Sequence, residues 1–137
     1  MGSDLMRTAL AIDADLLEKF DGWMASHGYT NRSEAMRDLI RTALTEEEWE
    51  DPKAHVVAAL SVVYDHEARR LAQELTHIQH GDHQAVLCSQ HVHLDPHRCL
   101  EVVLMRGQAA QLRRLANEIV SMRGVRAGKL AVMSTNV

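Results

Sequence analysis

His91-Val92-His93 is the tripeptide of this chain best suited to chemistry. On a strand, side chains at i and i+2 leave the same face, so both imidazoles project together. Cys99 follows shortly, and Asp95-Pro96-His97 between them has the composition of a turn. If that turn joins two antiparallel strands with Leu94 near Arg98, His93 lies opposite Cys99 and His91 opposite Glu101. Directly opposed side chains have Cβ atoms ~5 Å apart, within reach of one shared ion. Two nitrogens and a sulfur therefore converge on one face, with Glu101 placed to orient His91. Imidazole with thiolate suits Zn, Cu or Ni, and a planar N/S set favours Ni(II) or Cu(II) over Zn(II). Such a face has room for a fourth ligand, and His77, His80 and His83 are the candidates. The plainer alternative is a half-solvated strand with two polar imidazoles and a small buried thiol at Cys99.

The wider sequence leans the same way. Of nine histidines, eight lie from His55 to His97, with only His27 outside. The two cysteines do not make a disulfide framework, which leaves core, ligand or nucleophile roles. A thiol flanked by imidazoles on a rigid strand, with no evident pocket, suits a ligand better than a nucleophile. Cys88 has the opposite parity to His91 and reads as structural, while His55, His66, His83 and His97 read as polar ends and loop positions. No acid–base pair or nucleophile–base set stands out, so an enzyme is not expected.

The elements that must position these residues fall into two modules. Met6 to Ile12 alternates as a short strand, with Thr8, Leu10 and Ile12 inward and Arg7, Ala9 and Ala11 outward. Asp13 or Asp15 caps a helix carrying Leu16, Leu17, Phe20, Trp23 and Met24 on one face, and Gly28 stops it. Asn31-Arg32-Ser33-Glu34 has capping-box form and opens a helix that buries Ala35, Met36, Leu39, Ile40, Ala43 and Leu44. One strand and two helices cannot enclose a core alone, and a lone strand has unpaired edges. Both problems vanish when two copies pair their strands and interlock their helices. The expected organisation is residues 1–45 as a strand–helix–helix module, 46–53 as an acidic solvated linker, and 54–137 as a second module.

In the second module, His55 to Tyr64, Gln84 to Leu94, Arg98 to Met105 and Val125 to Met133 read as strands. Helical spacing covers His66 to about His80 (Ala68, Leu71, Ala72, Leu75, Ile78) and Gln108 to about Arg123 (Leu112, Leu115, Ala116, Ile119, Val120). The order βαββαβ predicts a ferredoxin-like sandwich, and the whole chain is α+β.

Net charge of −4 argues against a basic nucleic-acid patch. Residues 1–51 hold 5 Lys/Arg and 12 Asp/Glu, five of those acids between Glu46 and Asp51. Any DNA contact in the first module must come from a few well-placed groups. No apolar run approaches the ~20 residues that span a bilayer, and the start lacks signal-peptide order, so a cytoplasmic protein with no membrane partner is expected.

Together, Asn31-Arg32-Ser33-Glu34-Ala35, Gln79-His80, His91-Val92-His93, Cys99-Leu100-Glu101 and Arg123-Gly124-Val125-Arg126 resemble the nickel-responsive transcriptional regulators of the NikR type. The resemblance runs from about Met6 to Met133. It implies an N-terminal ribbon-helix-helix whose paired strands enter the major groove, and a C-terminal ferredoxin-like (ACT-like) metal-binding domain. It also implies one Ni(II) per subunit in a square-planar His3Cys site, with His91, His93 and Cys99 from one subunit and His80 from another. The family is a homotetramer in which the second modules form the centre and two strand-paired dimers flank it. It places a second cation on an acidic pair matched here by Glu34 and Asp38, with main-chain carbonyls near Val120, Met122 and Val125. Capping for Glu34 and simple solvation for Asp38 are the alternative.

The resemblance further implies repression of nickel uptake genes through a DNA operator with palindromic half-sites. Expected DNA contacts are Arg7, Ala9, Ala11, Asn31, Arg32, Ser33 and Arg69. Alanine departs from the polar residues usual at the outward positions 9 and 11. Arg7 can pair bidentately with guanine, but alanine methyls reach only thymine methyls, and each lost base contact removes ~1–3 kcal/mol of discrimination. Sequence preference is therefore expected to be altered or relaxed, with phosphate anchoring at Asn31, Arg32 and Ser33 retained. The competing readings are a copper or zinc sensor of the same architecture, a metal-independent ribbon-helix-helix regulator, and a small-molecule-binding regulator.

Overall fold

The computed structural model describes residues 4–67, 69–81 and 84–136. The chain divides into two compact units, Met1–Ile40 and Arg41–Val137.

The first unit is built on two helices. In α1 (Ala14–Ser26), Asp13 is the N-cap, its Oδ1 accepting from the Leu16 N–H at 3.0 Å. The helix ends where Gly28 takes a φ of 78°, a conformation open to glycine, and the Tyr29 N–H donates to the Met24 carbonyl at 3.0 Å. Asn31 Oδ1 accepts from the Glu34 N–H at 2.8 Å and so caps α2 (Arg32–Glu50). Met24 of α1 and Ala35 of α2 are buried.

Two expectations change here. Met6–Ile12 carries no strand, because a ladder needs a second strand and the single chain offers none at this point. Correspondingly, apolar residues expected inside are exposed: Leu10 by 62%, Leu16 by 57% and Ile40 by 53%, with Ile12, Leu39 and Leu44 near 40%. The acidic run Glu46–Glu50, expected in the linker, is helical, since Glu is a good helix former.

In the second unit the elements run β1 (His55–Asp65), α3 (Arg69–Gly81), β2 (Val86–His93), β3 (Arg98–Gln108), α4 (Ala109–Val120), β4 (Val125–Met133). They form a four-stranded antiparallel sheet of order β2-β3-β1-β4, the connectivity that βαββαβ was expected to give. Alternation along β1 buries Val56, Ala58, Leu60, Val62 and Tyr64 on one face, matched by Cys99, Glu101, Val103 and Met105 of β3. Across this face lies α4, whose Leu112, Leu115, Ala116 and Ile119 recur at helical spacing and are buried. Gly128 of β4 lets α4 approach closely: a Cβ there would stand 2.6 Å from Val120 Cγ2. Ile78 of α3 also packs on this core, whereas Ala68 and the side chains of Leu71, Ala72 and Leu75 lie outside the described residues.

Trp49, near the end of α2, packs against the same core, with the Arg113 guanidinium 4.5 Å above its ring. Among the described residues, no helix is long and apolar enough to cross a membrane.

Candidate metal centre

One end of the sheet gathers the chemistry. The β2–β3 register pairs His93 with Cys99 and His91 with Glu101, and β1 adds Tyr64 opposite Cys99. The connecting turn is locked by Asp95: Oδ1 accepts from the backbone N–H of His97 and of Arg98 at 2.8 Å each, and Oδ2 from Arg98 Nε at 2.8 Å. Those donors hold the Asp95 carboxyl below the usual carboxylate range, the His97 N–H contributing most.

Two sub-clusters share this face. In the first, the Tyr64 hydroxyl donates to Glu101 Oε2 at 3.2 Å and lies 2.9 Å from His91 Nδ1, itself 3.4 Å from the same Oε2. A carboxylate only accepts and a phenol has one proton; with that proton given to Glu101, Tyr64 Oη accepts from His91 Nδ1–H. That tautomer leaves the lone pair of His91 on Nε2, the arrangement of a metal-ligating histidine whose other nitrogen is held by a carboxylate. Burial first, then the charge of Glu101, push the Tyr64 phenol well above its ordinary range, so it stays a neutral donor.

In the second, Cys99 Sγ lies 3.5 Å from His93 Nδ1 and 3.2 Å from His66 Nδ1. Cys99 is fully buried, and burial, followed by the charges of Glu101 and Asp95, raises its thiol pKa. Among the described residues, His66, His93 and Cys99 are the group of metal-type donors close enough to hold an ion, all within 4.8 Å of one another. The donor set, two imidazoles and a thiol with a third imidazole adjacent, fits a borderline ion such as nickel, copper or zinc.

Of the four ligands named from sequence, the structure thus brings His91, His93 and Cys99 to one face, with Glu101 beside them. His80 is exposed in the last turn of α3 and is not in the group. Sequence reasoning missed His66 and Tyr64. The signal for both was the β1–β3 pairing, which puts Tyr64 against Cys99 and His66 just past the strand end. Cys88, expected to be structural, is exposed. Its parity was read correctly, but it shares the outer sheet face with Leu104 rather than the core.

In the first unit, Arg7, Ala9, Ala11 and Ser33 are exposed, and Asn31 serves as the α2 cap. Arg32, an expected phosphate contact, is exposed and held bidentately by Asp21, with Nε–Oδ1 at 2.8 Å and Nη2–Oδ2 at 2.7 Å. The pair lowers the Asp21 pKa and raises that of Arg32. The Arg69 side chain lies outside the described residues. Glu34 and Asp38 sit one turn apart on α2, Asp38 accepting from the Tyr29 hydroxyl at 2.9 Å.

The profile of a family described as the NikR C terminal nickel binding domain matches residues 57–133, which include every residue of the cluster. A protein of Solibacter usitatus, named "Putative nickel-responsive regulator", is 49% identical over 97% of this chain and 96% of its own length. Proteins of the same name from Nitratidesulfovibrio vulgaris and Geobacter sulfurreducens are 46% identical, over 95% and 96% of this chain and 94% and 95% of theirs. The chain belongs to the NikR-type family of nickel-responsive regulators.

Proposed function

We propose that this protein is a nickel-responsive, DNA-binding transcriptional repressor that acts on nickel uptake genes. The observation that carries the reading is the pairing of His93 with Cys99 and His91 with Glu101 inside the family's nickel-binding domain. One Ni(II) per subunit would be held by His91, His93 and Cys99, with His80 of a neighbouring subunit completing a planar His3Cys set. Bound there, nickel supplies a charge that cross-links subunits. The residues of this chain do the rest: Tyr64 and Glu101 fix the His91 tautomer, and the Asp95 turn holds the two strands in register.

Such a shared site requires a second subunit, and the family resemblance makes the assembly a homotetramer. Exposed apolar residues support it. On the outer sheet face Val92 is 38% exposed, Leu104 41% and Met133 55%, surface that an assembly would bury. In the first unit, Leu10, Ile12, Leu16, Leu39 and Ile40 form the apolar set that a strand-paired dimer of the ribbon-helix-helix type would cover. In that arrangement Arg7, Ala9 and Ala11 face the operator bases, and the cap at Asn31 and Ser33 presents N–H groups to phosphate. Nickel raises operator affinity only to the extent that it binds the DNA-competent assembly more tightly than the alternatives.

The test is a titration of Ni(II) into the protein and a His93→Ala variant, read by the thiolate-to-nickel charge-transfer band and by retention of operator DNA. The parent should show both, and the variant neither. No band in the parent would sink the nickel reading, and a band without metal-dependent DNA retention would sink the regulatory one.

A further inference from the structure

Asp21 and Arg32 form an ion pair within the first unit. Arg32 opens α2, and Asp21 reaches it from α1. Nε of Arg32 donates to Oδ1 at 2.8 Å and Nη2 donates to Oδ2 at 2.7 Å, while the two side chains stay 56% and 45% exposed. This grip takes the Nε edge of the guanidinium and leaves the Nη1 edge open. In the same turn, Asn31 Oδ1 accepts from the Glu34 N–H at 2.8 Å, and the Asn31 carbonyl from the Ala35 N–H at 3.3 Å. The N–H groups of Arg32 and Ser33 come first in the helix and have no partner within it. Ser33 is exposed. Helix N–H groups, a hydroxyl and a guanidinium thus share the first turn of α2, a set suited to a DNA phosphate. The cation of that set has its charge offset by a carboxylate.

We propose that Asp21 limits sequence-independent DNA binding: it holds the Arg32 guanidinium at the start of α2 while offsetting its charge. The inference rests on the reading of the first unit as a DNA-binding module. A phosphate on the Nη1 edge lies well within the ~10 Å Debye length of the Asp21 carboxylate, so attraction by Arg32 meets repulsion by Asp21. Backbone binding draws its strength from the counterions that uncompensated cations release from DNA. An arginine that carries its own counter-charge adds little to that release. Phosphate contacts hold no sequence information, so weakening them lowers retention on any duplex and leaves base readout to residues such as Arg7. A regulator that must leave DNA when nickel is absent works best with a weak sequence-independent attraction.

The experiment uses the full chain and its Asp21→Asn, Asp21→Glu and Asp21→Asn/Arg32→Gln variants. Fluorescence anisotropy with an operator duplex and an unrelated duplex is read from about 50 to 200 mM salt, with Ni(II) and in chelator. Asparagine keeps the shape and an acceptor for Arg32 but removes the charge. Asp21→Asn should steepen the fall of log affinity with log salt by about 0.9 for each chain whose Arg32 meets a phosphate. Its advantage over the parent should be greatest at low salt and shrink about 3.5-fold per such chain across that range. Both duplexes should show the same gain, and it should persist in chelator. Asp21→Glu keeps the charge and should bind as the parent does. The double variant, neutral at both positions, should return to the parental slope. An unchanged slope in Asp21→Asn, or affinity lost at every salt concentration, overturns the proposal. So does a gain that survives in the double variant, because the added charge would then not be that of Arg32. A parent that retains neither duplex overturns the DNA-binding reading and this proposal together, whereas a parent that binds and is matched by Asp21→Asn removes this proposal alone. Exposed ion pairs contribute little to stability, so circular dichroism should show every variant folded.

Discussion

His93 and Cys99 face each other across the β2–β3 ladder, Nδ1 and Sγ 3.5 Å apart, with the sulfur fully buried. Burial and two nearby carboxylates raise the thiol pKa, so the metal-free protein carries Cys99 protonated at neutral pH. A metal must displace that proton to gain a thiolate. Ni(II) binding should therefore release a proton from Cys99, and apparent affinity should rise with pH by up to about tenfold per unit while the thiol remains protonated. Calorimetry in buffers of different ionisation enthalpy measures the proton count. Cys99→Ala should remove both the release and the charge-transfer band, and pH-independent affinity in the parent would exclude the thiolate as a ligand.

Tyr64 tests the orientation of His91. Replacing it by Phe removes a hydroxyl that serves Glu101 and His91 together and leaves a buried carboxylate short of one donor. A cost of about 1–3 kcal/mol in urea unfolding is expected. Nickel affinity should fall about 10–100-fold, as for other residues that hold a ligating histidine. Stability lost with nickel affinity intact would show that Tyr64 is structural only.

The contrast between what the sequence disclosed and what it hid has physical causes. Strand parity and a turn rich in local hydrogen bonds made the His93–Cys99 and His91–Glu101 pairs legible, because both depend on short-range geometry. His66 was hidden because its role depends on β1 pairing with β3, a contact between distant segments. The strand over Met6–Ile12 was read from alternation alone, and alternation without a pairing partner yields no ladder in a single chain. Glu46–Glu50 was read by charge, yet helix propensity set its conformation and carried Trp49 to the core beneath Arg113.

The exposed apolar set of the first unit makes assembly testable. Ile40 is 53% exposed on α2 of the single chain, so a charge there costs that chain little. Ile40→Glu should block strand-paired dimerisation, which would bury that charge without a partner. Sedimentation should show a smaller species and operator retention should be lost, with the metal spectrum unchanged. An unaltered sedimentation profile would exclude this face from the interface.

Asp95 gives the metal-free protein an acid-sensitive point. Its folded pKa lies below the ordinary value, so its contribution to stability is present above about pH 4 and fades as pH falls through the folded pKa. Asp95→Asn should melt below the parent at pH 6. That gap should narrow as the pH drops beneath about 4, where the parent carboxyl becomes protonated as well. Thermal melts in chelator across this range provide the check, and a gap that does not change with pH would mean the charge of Asp95 does not hold the turn.

Gly128 tests the packing that places α4 over the sheet. An added Cβ would stand 2.6 Å from Val120 Cγ2 and 3.4 Å from Val62 Cγ1, so α4 or the Val120 side chain must yield. Gly128 and Val120 are both exposed, so a methyl forced between them costs less than the ~1–3 kcal/mol of overpacking a core, and Gly128→Ala should lower the urea midpoint modestly at unchanged slope. The clash is with one named side chain, so Val120→Ala in the same protein should recover part of the loss. Residues in contact are expected to deviate from additivity by about 0.5–3 kcal/mol. A neutral Gly128→Ala would mean that α4 shifts without cost. A double variant no more stable than the single one would mean that the close approach to Val120 is not what glycine permits.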